Sequence, residues 1–450
     1  PAFASPSVLS TVSVAVADAT AKLGAGTNES YTLSIPADAT AASVTAATPY
    51  GALHALTTLS QLVDRDAVAG SGLRIAGLPV VIDDAPRYEH RGLLMDSARH
   101  YLNISTIMRT IDGLAQNKLN VLHWHITDAE SFPLEVPGFP ALAGSGAYTP
   151  LLVYNADDVA AVVAHAAARG VRVIPELDTP GHSYAWGLGY DNLTASCPTY
   201  RYVSNINNIP LDPTAEWTWT VLQAIVQQLA QQFPDDVVHA GGDEVVTECW
   251  ELDPDIAAWM RNKGWTDYTQ LLGYHVTRLG GMIAAQGKTV VQWIEVFDAG
   301  VKGLAKDTVF QVWKGKDELY SVVEAGYRAI LSDSDAWYLN CGMNPGCAYS
   351  SWQTCYSNEP TPPGTVTPAQ EKLVIGGEAA LWSEFTNDGN VDQQLWPRLS
   401  AVAERLWSPR DVANVTAAEP RLAYHSCRMQ ARGGLDSGPI APGFCDVRVF

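Results

Sequence analysis

From residue 89 onward, short runs of β-branched and apolar residues recur eight times, at 91–96, 119–126, 171–177, 237–240, 289–293, 308–312, 328–331 and 373–375. Helical patterns separate several of them, at 104–116, 156–169 and 217–233, the last followed by Pro234 as a stop signal. Strands that alternate with helices pair in parallel, because parallel partners need a long crossover rather than a tight turn. Eight such units predict a (β/α)8 TIM barrel with enlarged loops, its ring closed by a helix over 396–407. An open doubly wound sheet also gathers strand ends, but eight consecutive units favour closure. Residues 1–86 read differently. They are rich in Ala, Thr, Ser and Val, alternate at 30–35, carry a helical stretch at 51–63 and end in Asp83-Asp84-Ala85-Pro86. They predict a small α+β N-terminal domain, which leaves 87–450 for the catalytic barrel and a C-terminal tail.

The chemistry falls at the ends of the predicted strands. Asp96 and Arg99 follow the first, His125 and Asp128 the second, Glu176, Asp178 and His182 the third, Asp243 and Glu244 the fourth. Trp293, Trp313, Trp337 with Tyr338, and finally Glu378, Trp382 and Glu384 follow strands five to eight. In a barrel these ends converge on one face, where such folds place their active sites. With 48 acidic and 28 basic residues the net charge is −20, which disfavours nucleic acid and anionic membranes as partners. No apolar run approaches the roughly 18 residues of a membrane span.

Fourteen tryptophans are many for 450 residues. Most serve as packing anchors, but Trp293, Trp313 and Trp382 stand at the pocket end of their strands. Indole faces pack against the apolar faces of sugar rings while carboxylates and Arg bind hydroxyls, so this lining points to carbohydrate. The strongest local signal is Gly241-Gly242-Asp243-Glu244. Two glycines allow close backbone approach, and two neighbouring carboxyls resist joint ionisation. One pKa is expected to rise, giving an acid able to protonate a glycosidic oxygen. His123 and His125 invite a metal reading, but that chemistry needs ligands on later strands, and His239 precedes its strand end. The two histidines are therefore expected to play packing or supporting roles, and no metal or cofactor is expected.

The seven cysteines lack zinc spacing, and Asn-x-Ser/Thr triplets occur at Asn28, Asn103, Asn192 and Asn414. Both suit a glycosylated chain with two or three disulfides in a secreted or lysosomal/vacuolar compartment. The start at Pro1 fits a removed leader as well as a trimmed N-terminus.

Several motifs resemble one family. Arg91-Gly-Leu-Leu-Met-Asp-Ser-Ala-Arg-His100, His123-Trp-His-Ile-Thr-Asp128, Asp178-Thr-Pro-Gly-His182 and Gly241-Gly-Asp-Glu244 resemble β-N-acetylhexosaminidases of glycoside hydrolase family 20. Trp337-Tyr-Leu-Asn340, Gly376-Gly-Glu-Ala379 and Leu395-Trp-Pro-Arg398 extend the resemblance to eukaryotic lysosomal and secreted members. The resemblance implies removal of terminal β-linked GlcNAc or GalNAc from glycans or chito-oligosaccharides, with retention and substrate assistance. Glu244 would be the acid and then the base, Asp243 and Tyr338 would hold the substrate's acetamido group, and Asp128 with His182 would tune Glu244. Arg91, Glu384, Asn340, Trp293, Trp313, Trp337 and Trp382 would bind the sugar. By the same resemblance Cys197 pairs with Cys249 and Cys427 with Cys445, while Cys341, Cys347 and Cys355 supply one more pair and one spare thiol. It further implies a small N-terminal domain shorter than many relatives carry, and dimers, which the family often forms. Ala129 and Cys341 depart from patterns suited to anionic sugars, so neutral termini are expected. The alternatives are a two-carboxylate β-glycosidase using Glu176 or Glu295, a catalytically inactive sugar-binding barrel, and a metal-dependent barrel hydrolase.

Overall fold

A computed structural model describes residues 8–65, 72–197 and 209–445. Six short strands open the chain: β1 (Thr11–Val16), β2 (Tyr31–Ile35), β3 (Ala41–Ala46), β4 (Val63–Arg65), β5 (Leu73–Ile75) and β6 (Val80–Asp84). Four of them form one sheet in the order β1-β3-β2-β6, and β4 pairs with β5. Alternation in β2 and β3 sends Tyr31, Leu33, Ile35, Ala42 and Val44 inward, where the helix Pro49–Leu62 covers them. That helix starts cleanly because Thr48 caps it and Pro49 pre-sets its first turn.

Eight parallel strands then close on themselves: β7 (His90–Asp96), β8 (Val121–His125), β9 (Arg172–Glu176), β10 (Val237–His239), β11 (Thr289–Trp293), β12 (Val309–Val312), β13 (Arg328–Leu331) and β14 (Val374–Leu381). Closure is the β14–β7 pair, with Gly376 opposite His90 and Leu381 opposite Met95. β7, β8 and β9 are buried along their whole length, as expected for strands with an inner and a covered outer face. Val121, Ile174, Val237, Val291, Val309 and Ile330 make an apolar plug inside the ring.

Elsewhere the barrel interior is ionic. Glu378 meets His90 Nε2 at 2.8 Å, His123 Nδ1 at 2.7 Å and the Gln311 amide at 2.8 Å. Glu176 receives Trp293 Nε1 at 2.8 Å, faces His123 Nε2 at 3.1 Å and binds His125. Burial alone would keep His123 neutral, yet Glu378 and Glu176 raise its pKa to about 9. The sequence reading left the histidine set unassembled. In the structure His239 Nδ1 lies 3.1 Å from Glu176, and its ring stacks on His123 at 4.6 Å. The correction follows from geometry, since residues on adjacent strands at one height meet inside a closed ring.

Several bounds differ from the sequence expectation. The final strand runs on to Leu381 rather than stopping at 375, and the last barrel helix begins at Arg398, after the cis bond Trp396–Pro397.

The N-terminal sheet is fastened to the lower end of the barrel. Arg91, fully buried near the start of β7, makes a bidentate pair with Glu29 at 2.7 and 2.9 Å, and also donates to the carbonyls of Tyr88 and Lys118. His54 Nε2 meets the same carboxylate at 2.8 Å.

Three disulfides join Cys197 to Cys249, Cys341 to Cys347 and Cys427 to Cys445. Cys355 is the buried free thiol, pushed up to about 12 by burial. The four sequon asparagines, Asn28, Asn103, Asn192 and Asn414, are all exposed.

Candidate active site

At the C-terminal ends of the strands lies a cavity of about 580 Å³, lined by Asp243 and Glu244, Trp293, Trp313 and Trp382, and Tyr338 among others. A larger cavity of about 730 Å³ sits between Trp407, Lys118 and the C-terminal helix Val415–Gly433, away from every strand end that carries chemistry.

The loop after β10 delivers the two acids by an unusual backbone path. Gly241 and Gly242 have φ of 65° and 105°, and Glu244 itself sits at 47°. A Cβ on Gly241 would run into the Asp178 carboxylate, and one on Gly242 would lie 2.6 Å from Val296. Only glycine fits both places. The strained turn splays the acids apart: Asp243 is buried, while the Glu244 side chain is 51% exposed. His182 stands between them, its Nε2 3.6 Å from a carboxylate oxygen of each. Behind His182, Asp128 accepts at 3.1 Å from Nδ1, and Arg99 reaches Asp128 at 2.7 Å and Asp96 at 3.1 Å.

This packing orders the charges. Burial opposes ionisation of Asp128, but Arg99 and His182 hold it well below the usual carboxylate range. Burial likewise opposes a charge on His182, yet Asp128, Asp178 and Asp243 keep it an imidazolium well above the usual range. Burial pushes Asp178 up to about 7 and, with Asp178 alongside, pushes Asp243 well above the ordinary value. Within the adjacent pair Asp243, the inner acid, is thus raised, as two neighbouring carboxyls in a desolvated pocket require of one of them.

Indoles and a phenol wall the inner end. Trp293 and Trp382 lie 6.0 Å apart, Tyr338 sits 6.1 Å from Trp382, and Trp313 stacks beside Tyr338 at 6.5 Å. Burial keeps the Tyr338 hydroxyl protonated well past its ordinary pKa, so it serves as a donor. Asp243 Oδ1 and Asn340 Oδ1 are buried without a partner. Glu384 completes the lining beside Arg99.

Two sugar contacts expected from sequence are not in this cavity. Arg91 lies at the opposite end of β7, saturated by Glu29 and two carbonyls. The cavity is reached instead by Arg99, which follows the strand end and stacks over Trp382 at 5.0 Å. Strand direction was the available signal, because only the residue after the C-terminal end can face the site. Trp337 points into the core, donating to the Cys355 carbonyl at 3.0 Å and filling the space beside Gly377. Nor do Glu176 and Glu295 face Glu244 as free carboxylates. Glu176 is bound within the barrel, and Glu295, pushed up to about 7 by burial, accepts from Trp313 Nε1 at 3.0 Å and lies 3.3 Å from Lys314. Among the described residues, His123 with Glu176 and His239, His125 with Asp128 and Asp178, and Asp178 with His182 and Asp243 have metal-ligand spacing. In each group the histidines meet carboxylates of the same network.

A parallel barrel whose strand ends meet around two adjacent acids in an indole-walled cavity defines a glycoside hydrolase. Residues 88–410 match the family model for the glycosyl hydrolase family 20 catalytic domain, and residues 3–62 match a model described as β-acetyl hexosaminidase like. The chain belongs to glycosyl hydrolase family 20. It is 40% identical over 424 residues to the human β-hexosaminidase subunit beta, covering 93% of this chain and 73% of that one. It is 39% identical over 447 residues to β-hexosaminidase subunit A1 of Dictyostelium discoideum, covering 98% and 80%. Among solved structures it resembles a chitobiase of Flavobacterium johnsoniae, with a TM-score of 0.83 and 28% identity, covering 94% of this chain and 63% of that longer one. An exo β-N-acetylglucosaminidase of Vibrio harveyi in complex with N-acetylglucosamine gives a TM-score of 0.82 at 25% identity, covering 95% and 69%.

Proposed function

We propose that this site removes terminal β-linked N-acetylhexosamine from glycans or chito-oligosaccharides, with the substrate's own acetamido oxygen as nucleophile. The observation that carries this reading is the splayed pair: one carboxyl buried with an unpartnered oxygen among indoles, the other at the mouth. Glu244 gives its proton to the glycosidic oxygen as the C1–O bond breaks. The acetamido carbonyl oxygen bonds to C1 and closes an oxazolinium ring. Asp243 accepts from the acetamido N–H, and Tyr338 donates to the carbonyl oxygen. Water then adds to C1 as the C1–O bond of the oxazolinium ring breaks, Glu244 takes the water's proton, the acetamido group is restored, and two inversions give retention. A well-oriented internal nucleophile is worth about 7–11 kcal/mol over a bimolecular one. Asp128 and His182 orient Glu244, and Arg99 with Glu384 and Asn340 holds ring hydroxyls.

The relatives' names as subunits support an oligomer, which we propose is a homodimer, and the three disulfides support a secreted or lysosomal/vacuolar location. A chromogenic panel tests the activity. β-GlcNAc and β-GalNAc should be cleaved and inhibited by a thiazoline; cleavage of a plain β-glucoside at a comparable rate would refute substrate assistance.

A further inference from the structure

We propose that the mouth of this cavity is a subsite for a positively charged leaving unit, a sugar with a free amine such as D-glucosamine, selected by Asp335. The inference rests on the activity proposed above and narrows its substrate class to partially deacetylated chito-oligosaccharides.

The cavity is graded in depth. Trp293, Asn340 and Asp243 are buried at its floor, whereas Glu244, Asp335, Gly346 and Ala348 are exposed at its rim. The floor takes the terminal sugar, since the groups that hold an acetamido arm are there. Glu244 marks the scissile oxygen, so whatever departs lies against the rim.

The charged residues exposed in the cavity lining, Glu244, Asp335 and Glu384, are all acidic. The Cys341–Cys347 disulfide closes a tight loop with no charged residue, and Asn344 fixes it by accepting from the Gly346 N–H at 2.8 Å. Beside it stands Asp335, on the short helix Ser334–Trp337. Its backbone N–H donates to Asp333 Oδ1 at 3.2 Å, and Trp337 anchors the same turn in the core. The backbone that carries the carboxylate is thus held in place, and among the described residues no Lys or Arg forms an ion pair with the side chain. Lys314 is committed to Asp298 at 2.8 Å and to Glu295 at 3.3 Å, and Lys316 acts on Asp333. With the chain at −20 overall, the field at the mouth favours an ammonium and rejects sulfate or carboxylate.

The test compares β-1,4-linked GlcNAc–GlcN with GlcNAc–GlcNAc on the same protein preparation, at low salt and at about 0.5 M salt. The ratio of their kcat/KM values should exceed one in the native chain. It should be about two- to five-fold lower in Asp335→Asn, the size of an exposed charge pair, and should shrink in salt. Asp335→Lys should invert the preference. A ratio that neither variant nor salt changes overturns the subsite. Failure of the native chain to cleave chromogenic β-GlcNAc would instead overturn the activity beneath it, and the subsite with it.

Discussion

Replacing Glu29 by Gln should loosen the molecule without touching catalysis. Glu29 lies in the N-terminal sheet region, yet its carboxylate is the partner of Arg91 at the foot of the barrel. Burial opposes ionisation of this group, but the Arg91 charge and the His54 N–H hold its pKa at about 2, against an ordinary 4.5. A carboxyl depressed from 4.5 to about 2 contributes about 3 kcal/mol of stability when pH is above its unfolded value. The contribution is lost as pH falls through the folded value; about 2 kcal/mol of it should be gone by pH 3. Gln keeps the shape but leaves the fully buried guanidinium without a counter-charge, for which a loss of about 3–5 kcal/mol at neutral pH is expected. Urea unfolding of both proteins at pH 7 and pH 3 measures this, and the gap between them should narrow at the lower pH. Below the unfolding transition, KM for a chromogenic β-GlcNAc should be unchanged. A raised KM with intact stability would mean that Arg91 binds sugar after all and that the structural assignment is wrong.

Two further outcomes concern the acids. Glu244→Gln should cut kcat/KM about 10²–10⁴-fold for chito-oligosaccharides, whose leaving oxygen needs a proton, and far less for dinitrophenyl substrates; an equal loss on both would remove Glu244 as the acid. Asp178→Asn removes a negative charge that helps keep Asp243 protonated, so Asp243 should ionise at lower pH. The acid limb of the kcat/KM profile should move to lower pH accordingly, and an unmoved limb would show that Asp243 does not govern it.

Much of this architecture was legible in the sequence because the period of the pattern is a physical constraint. The helix Ile104–Gln116 and the strands Thr289–Trp293 and Arg328–Leu331 fall where alternation and apolar spacing put them. The eighth strand runs on through Gly376-Gly377, a glycine pair of the kind that weakens a strand locally. In the barrel Gly377 lies beside the Trp337 ring, a close approach that no local pattern encodes. The same burial withdraws Trp337 from the cavity. Asp243 and Glu244 announce themselves by adjacency after two glycines, but which of them is buried depends on a left-handed backbone at Glu244. Arg91 and Arg99 sit in one motif, and only the direction of the strand tells which end each reaches.

The histidines and glutamates that fill the barrel interior connect ends of the molecule that share no ligand. Asp128 is tied to His125, His125 to Glu176, Glu176 to His123, and His123 to Glu378, which His90 also holds at the foot of the ring. A substitution at any group of this ladder leaves a buried neighbour without its partner, so its members cannot be exchanged one at a time. Attempts to retarget the enzyme should therefore start from the rim, where Asp335 and the small disulfide loop can be exchanged without disturbing that ladder.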